Sequence, residues 1–229
     1  MSENLVKRII TSIILLSLFF FINFSHQYIF ILSILILGII ICIEANNLFL
    51  KLLSKKQDKK KSSFKKINFK FLTFNIIAFF YIFFIFCNYS YEIHKSEGSV
   101  FFLYVISICF FTDIGGYVLG KIIGGKKLSK ISPNKTISGT IGSFIFSIVP
   151  FIFFLNFNYL DLKFNLSNLI FCLCISLISQ LGDLFISFIK RRAKIKDTGN
   201  ILPGHGGVLD RLDGIIFAIP FSYLLLRLF

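Results

Sequence analysis

The chain has 229 residues, 55% of them hydrophobic and only 16% charged, with 32 phenylalanines, no tryptophan and a mean hydropathy of +0.81. So few polar residues cannot cover the surface of a water-soluble fold, which excludes an ordinary soluble globular domain and leaves no length for a large extramembrane one. The 25 Lys and Arg against 11 Asp and Glu give a net charge of +14; in a membrane chain that excess reports orientation, not a nucleic-acid partner.

Seven apolar segments follow one another at 9–24, 28–45, 71–87, 99–119, 137–155, 166–189 and 208–228. At a rise of 1.5 Å per helical residue each approaches the ~30 Å of bilayer hydrocarbon, which predicts an all-α polytopic membrane protein of about seven transmembrane helices. The first segment follows Lys7 and Arg8 but has no small-residue cleavage site at its exit, so it reads as a retained span. With the N-terminus in the cytoplasm, 22 of the 25 basic residues fall inside, nine of them between Lys51 and Lys70, and only Lys95, Lys163 and Arg227 fall outside. This asymmetry supports the orientation and the odd number of spans. The basic loop 46–70 reads as an anchor to anionic headgroups of the lipid bilayer. The five cysteines, Cys42, Cys87, Cys109, Cys172 and Cys174, lie in or beside apolar segments and read as packing residues.

Carboxylates inside a membrane are costly, so those present call for a reason. Asp113, Asp183, Asp197, Asp210 and Asp213 all fall at or near the cytoplasmic ends of spans four, six and seven. Glu44 ends span two on the same side and is a lesser candidate for this group, its preferred reading being an interfacial residue. On span six, Gln180, Asp183, Ser187 and Lys190 are spaced three, four and three apart, which puts them on one inward-looking helical face. Between spans six and seven the turn Leu202-Pro203-Gly204-His205-Gly206-Gly207 lets backbone approach a ligand and offers amides to phosphate. The earlier loop interleaves Gly115, Gly116, Gly120, Gly124 and Gly125 with Lys121, Lys126 and Lys135. Gly115 to Lys121 fits G-x-x-x-x-G-K, but Ile122 stands where a Mg2+-binding hydroxyl is required, and no P-loop is assigned. The glycines of this region, Gly139 and Gly142 included, fit either a polyphosphate site or close helix packing. Clustered carboxylates with Lys and Arg around them meet the needs of phosphoryl or nucleotidyl transfer: oxygens for Mg2+ and cations for phosphate.

Residues 187–214, SFIKRRAKIKDTGNILPGHGGVLDRLDG, resemble the C-terminal signature of the phosphatidate cytidylyltransferases through Ser187, Lys190, Arg191, Lys196, Asp197, Gly199, Leu202, Pro203, His205, Gly206, Gly207, Asp210, Arg211 and Asp213. Asp113 to Tyr117, Gly120-Lys121 and Ser132 to Thr136 resemble the middle loop of the same family; the chain departs from its pattern at Ile114, Ser138 and Gly214. The resemblance implies transfer of CMP from CTP to phosphatidic acid, with CDP-diacylglycerol and pyrophosphate as products and Mg2+ as cofactor. It also implies a homodimer in a bacterial cytoplasmic (inner) membrane, with the active site facing the cytoplasm at the ends of the C-terminal helices.

Carried over by position, Asp183, Asp210 and Asp213 are expected as metal ligands and, with Lys190 and Arg191, as catalytic residues. Asp113, Lys121, Lys135, Thr136, Ser187, Lys196, Asp197, His205, Gly206, Gly207 and Arg211 are expected to bind substrate. The division that follows is an N-terminal transmembrane region, 1–98, and a C-terminal catalytic transmembrane region, 99–229. Two other classes compete. A CTP-dependent polyprenol or phytol kinase would release CDP, and an ion or solute transporter would carry polar residues through the membrane, where spans two, three and five offer little beyond Ser, Asn and Gly.

Overall fold

The computed structural model describes residues 3–54, 64–128, 132, 135–157, 159–160, 162–204 and 206–228. The middle of the basic loop, Pro133, Asn134 and His205 lie outside the described residues. Among the described residues there are helices and two isolated bridges but no strand. Helix α1 is Glu3–Phe24 and α2 is Gln27–Ser54; α3, Phe64–Phe80, continues through a π-helical stretch, Tyr81–Cys87, into α4, Asn88–Ser96. Then come α5, Gly98–Ile122; α6, Ile137–Asn156; α7, Leu166–Arg192; α8, Leu209–Leu212; and α9, Ile215–Leu226.

Five stretches among the described residues are long and apolar enough to cross a membrane: Gln27–Leu53, Phe69–Ser96, Gly98–Ile122, Ile137–Asn156 and Leu166–Arg192; Ile9–Phe24 is a shorter apolar helix. Large apolar side chains such as Ile13, Leu16, Ile77, Phe84 and Ile145 point outward, as a lipid solvent requires. The chain is an all-α polytopic membrane protein. Its last predicted span, 208–228, departs from expectation because it breaks at Asp213 and Gly214 into α8 and α9. With 12 residues, α9 rises about 18 Å, well short of the hydrocarbon thickness.

The chain forms two compact units. The first is Met1–Tyr91 with Ile189–Leu212, and the second is Glu92–Phe188 with Asp213–Phe229. This differs from the 1–98 and 99–229 division in grouping residues 189–212 with the N-terminal helices. In the first unit α2 is the central element, in contact with α1, α3, the π-helical stretch and α8. Its Gly38 admits the π-helical stretch: a Cβ there would lie 2.9 Å from Cys87 Sγ, whose thiol donates to the Ile34 carbonyl at 3.6 Å. Small residues at such crossings allow the close packing that holds helices together in lipid.

In the second unit, α5 and α6 meet along a glycine seam. A Cβ on Gly139 would lie 2.7 Å from the Gly116 carbonyl oxygen, and one on Gly142 would lie 2.6 Å from that of Gly115. The two backbones are therefore in direct contact, and helix packing is what these glycines serve. An aromatic core lies beyond the seam: Tyr104, 1% exposed, sits 5.3 Å from Phe154 and 6.2 Å from Phe171 between ring centroids. The Tyr104 hydroxyl is hydrogen-bonded to Cys172 Sγ at 3.1 Å. All five cysteines are free thiols.

Candidate active site

The second unit holds a half-buried cluster of side chains. Asp183 of α7 forms an ion pair with Lys135, and the Ser187 hydroxyl, one turn on, donates to Asp183 Oδ1 at 3.3 Å. Asp113 of α5 lies near enough for its charge to interact with those of both Asp183 and Lys135. Lys135 is held by its backbone, since its N–H donates to Ser132 O at 3.1 Å and its carbonyl accepts from Leu128 N–H at 2.8 Å. Thr136 then caps α6, its Oγ1 accepting from Gly139 N–H at 3.1 Å, and it shares a hydrogen bond with Ser138 at 3.0 Å. The Ser138 hydroxyl also donates to the Gly124 carbonyl, so both hydroxyls have structural partners. Lys121 is exposed, its Nζ 5.7 Å from the Tyr117 ring centre.

Asp213 belongs to the same unit, and its Oδ1 accepts from Gly214 N–H at 3.0 Å. The backbone here presses on α7: a Cβ on Gly182 would lie 2.8 Å from the Asp213 carbonyl oxygen, and one on Gly214 would lie 2.8 Å from that of Ser179. This contact explains glycine at position 214.

The first unit holds the second cluster, built by the loop that follows α7. The helix ends with Ile195 N–H bonded to Lys190 O and Lys194 N–H to Arg191 O, with Lys194 at φ 55°. That is a Schellman motif with lysine in the left-handed position usually given to glycine. Further on, Leu202 and Gly206 exchange two backbone hydrogen bonds, a tight turn that relies on the positive φ of Gly204 and Gly206, 76° and 87°.

Asp210 closes the loop. Its Oδ1 accepts from Lys190 Nζ at 2.9 Å, and its Oδ2 accepts from the backbone N–H groups of Thr198 at 2.8 Å and Gly207 at 3.0 Å. The two charged side chains are 11% and 6% exposed, lysine first. Burial alone would push the Asp210 carboxyl up, but the Lys190 ammonium and the two amides more than offset it and hold it below the ordinary carboxylate range.

Glu44 is not an interfacial residue: it is 1% exposed. Its Oε1 accepts from Val208 N–H at 3.0 Å, and its Oε2 accepts from Leu209 N–H at 2.8 Å and Thr198 Oγ1 at 3.1 Å. These donors replace the water a carboxylate would otherwise need. A Cβ on Gly199 or Gly207 would each lie 2.6 Å from a Glu44 oxygen, so both glycines make room for the carboxylate. Arg191, Lys196, Asp197 and Arg211 are exposed.

Of the expected metal ligands, Asp183 and Asp213 belong to the second unit and Asp210 to the first. Among the described residues no three His, Cys, Asp or Glu side chains form a group able to hold a metal ion. Mg2+ does not require one, because it commonly takes one or two carboxylates and completes its shell with water and substrate phosphates. Asp183, already paired with a cation in Lys135, and Asp113, whose charge interacts with both, have the donor chemistry that suits it.

The profile of the Cytidylyltransferase family matches residues 48–229, a stretch that includes both clusters apart from Glu44. A phosphatidate cytidylyltransferase of Bacillus subtilis (strain 168) is 41% identical over 145 residues, covering 62% of this chain and 54% of that protein. Proteins of the same name from Staphylococcus haemolyticus (strain JCSC1435) and Staphylococcus aureus (strain COL) are 44% and 45% identical over 136 and 134 residues, each match covering 58% of this chain and 51% of the relative. The chain spans about half the length of these curated relatives. With the match running through the glycine seam, the Lys135–Asp183 pair and the loop closed by Asp210, this chain belongs to the cytidylyltransferase family.

Proposed function

We propose that the protein transfers the cytidylyl group of CTP to phosphatidic acid, giving CDP-diacylglycerol and pyrophosphate. The observation that carries this reading is the glycine-rich loop fastened by Asp210 and Lys190, which lies within the stretch that matches the cytidylyltransferase family. In the reaction a phosphate oxygen of phosphatidic acid bonds to the α-phosphorus of CTP, and the bond from that phosphorus to the bridging oxygen of pyrophosphate breaks. A phosphate monoester is largely dianionic near neutral pH, so the attacking oxygen needs no strong base. The task is to bring two anions together and to neutralise the charge that leaves.

Lys135 and the exposed Arg191, Lys196 and Arg211 are the cations offered to phosphate oxygens, while Lys190 holds Asp210 in the loop. Ser187 orients Asp183 through its hydrogen bond. Gly206, Gly207 and His205 belong to the loop proposed to meet the triphosphate. Mg2+ is the proposed cofactor: Asp183 and the nearby Asp113 would hold it, and the resemblance adds Asp213 of the same unit, whereas both Asp210 oxygens are taken by Lys190 and the amides of Thr198 and Gly207. When bound it supplies positive charge for the phosphate oxygens. A bacterial inner-membrane location, a site facing the cytoplasm and a homodimer belong to the same proposal.

The test is pyrophosphate release by the purified protein with CTP, phosphatidic acid and Mg2+. Pyrophosphate and CDP-diacylglycerol in equal amounts, both lost on chelation of the metal, support the reading. CDP formed only in the presence of a lipid alcohol overturns it in favour of a kinase.

A further inference from the structure

Residues 198–209 are gripped from two sides within the first unit. Thr198 is common to both grips: its backbone N–H donates to Asp210 and its hydroxyl to Glu44. Gly207 is common as well, donating its N–H to Asp210 while its Cα faces the Glu44 carboxylate. Glu44 also accepts the amides of Val208 and Leu209, immediately before Asp210. Asp210 and Lys190 lie inside the family match, whereas Glu44 lies four residues before its start at residue 48. A carboxylate in an apolar helix is costly unless its donors are fully supplied, and here Thr198, Val208 and Leu209 supply them from one loop.

We infer that Glu44 is a positioning residue for nucleotide binding: from α2, together with the Lys190–Asp210 pair, it sets the loop in the shape that presents the Gly206-Gly207 turn to CTP. This rests on the function proposed above. Glu44 itself touches no substrate and acts through Thr198, Val208 and Leu209. Both its oxygens accept hydrogen bonds, so the isosteric amide is a poor substitute: Glu44→Gln turns one oxygen into an NH2 that faces existing donors. Thr198→Val removes one bond and keeps the side-chain shape, and Thr198→Ser keeps the bond.

The experiment uses the full chain in phosphatidylcholine nanodiscs, with two measurements: amide hydrogen exchange across 198–209, and KM for CTP beside kcat. Glu44→Gln is expected to speed exchange in the loop and to raise KM for CTP about tenfold or more, the order expected from losing a charge-assisted hydrogen bond, with a smaller change in kcat. Thr198→Val is expected to do the same more weakly, and Thr198→Ser to behave as the parent chain. Loop exchange unchanged in both Glu44→Gln and Thr198→Val overturns the inference. So does a loss of kcat equal to the rise in KM with exchange raised throughout both units, which marks a general structural role. If the parent chain makes no CDP-diacylglycerol, the proposed function fails on its own account, and the exchange measurement still decides whether Glu44 sets the loop.

Discussion

The two carboxylate–lysine clusters are made in different ways. In the first unit Asp210 and Glu44 are closed in by backbone N–H groups, and the Lys190–Asp210 pair is nearly inaccessible. In the second unit Asp183 and Lys135 are 24% and 32% exposed in their side chains, and Asp183 meets the side chains of Lys135 and Ser187. Backbone donors cannot leave without moving the chain, whereas a lysine ammonium on a flexible stem can swing away. A preformed loop and an exchangeable ion pair are thus suited to different tasks: one fixes the shape a ligand meets, and the other can trade its cation when a ligand or metal arrives.

Four changes would break or sharpen that contrast. The largest effect is expected at the exchangeable pair. Asp183→Asn keeps the shape but removes the charge, and should lower CDP-diacylglycerol formation about 10²–10³-fold, the scale of losing a preorganised electrostatic contact. An active Asp183→Asn protein would make the ion pair a packing feature only. Next comes Gly207→Ala, which drives a Cβ into the Glu44 carboxylate. It should cost about 1–3 kcal/mol of stability in denaturant titration, with activity falling alongside.

A smaller effect is expected from pH. The Asp210 carboxyl is held below its ordinary range despite its burial, by Lys190 and the two amides. Its contribution to stability is therefore present above the unfolded-state value and is lost as pH falls through the folded one. Replacing the ammonium in Lys190→Met leaves burial less opposed, so the carboxyl should rise and the acid limb of a thermal-melting profile should move to higher pH. An unmoved acid limb would show that the amides of Thr198 and Gly207 suffice. Smallest is Lys194→Gly, which relieves a non-glycine residue at φ 55° and should raise stability by about 1 kcal/mol. Unchanged or lower stability would mean that Lys194 contributes more through its side chain than it costs through its backbone.

Hydropathy and charge bias made the all-α membrane architecture legible, because long apolar runs have few other readings. Asp183 was legible for the same reason: a carboxylate deep in an apolar helix stands out. The break after α8 was not, since the apolar run through Ile215 to Leu226 looks continuous and the interruption depends on Gly214 meeting the Ser179 backbone. Glu44 stood out as an acid on the right side of the membrane, but its buried role was not legible because the partners of position 44 lie at 198, 208 and 209. Nothing local in α2 announces them, although the glycines at 199 and 207 mark places where something must come close. Thr136 fitted a phosphate contact by position, and only the geometry shows its hydroxyl capping α6.

The glycine seam between α5 and α6 reverses a familiar intuition about greasier being better. In water, exchanging Gly139 or Gly142 for leucine would add apolar area to bury. In a bilayer the surrounding acyl chains already offer that environment, so the larger side chain gains nothing from the transfer and simply holds the helices apart. Hydropathy would score such a change as an improvement to the span, while the hairpin that carries Asp113 on one arm and has Lys135 at the foot of the other would lose its alignment.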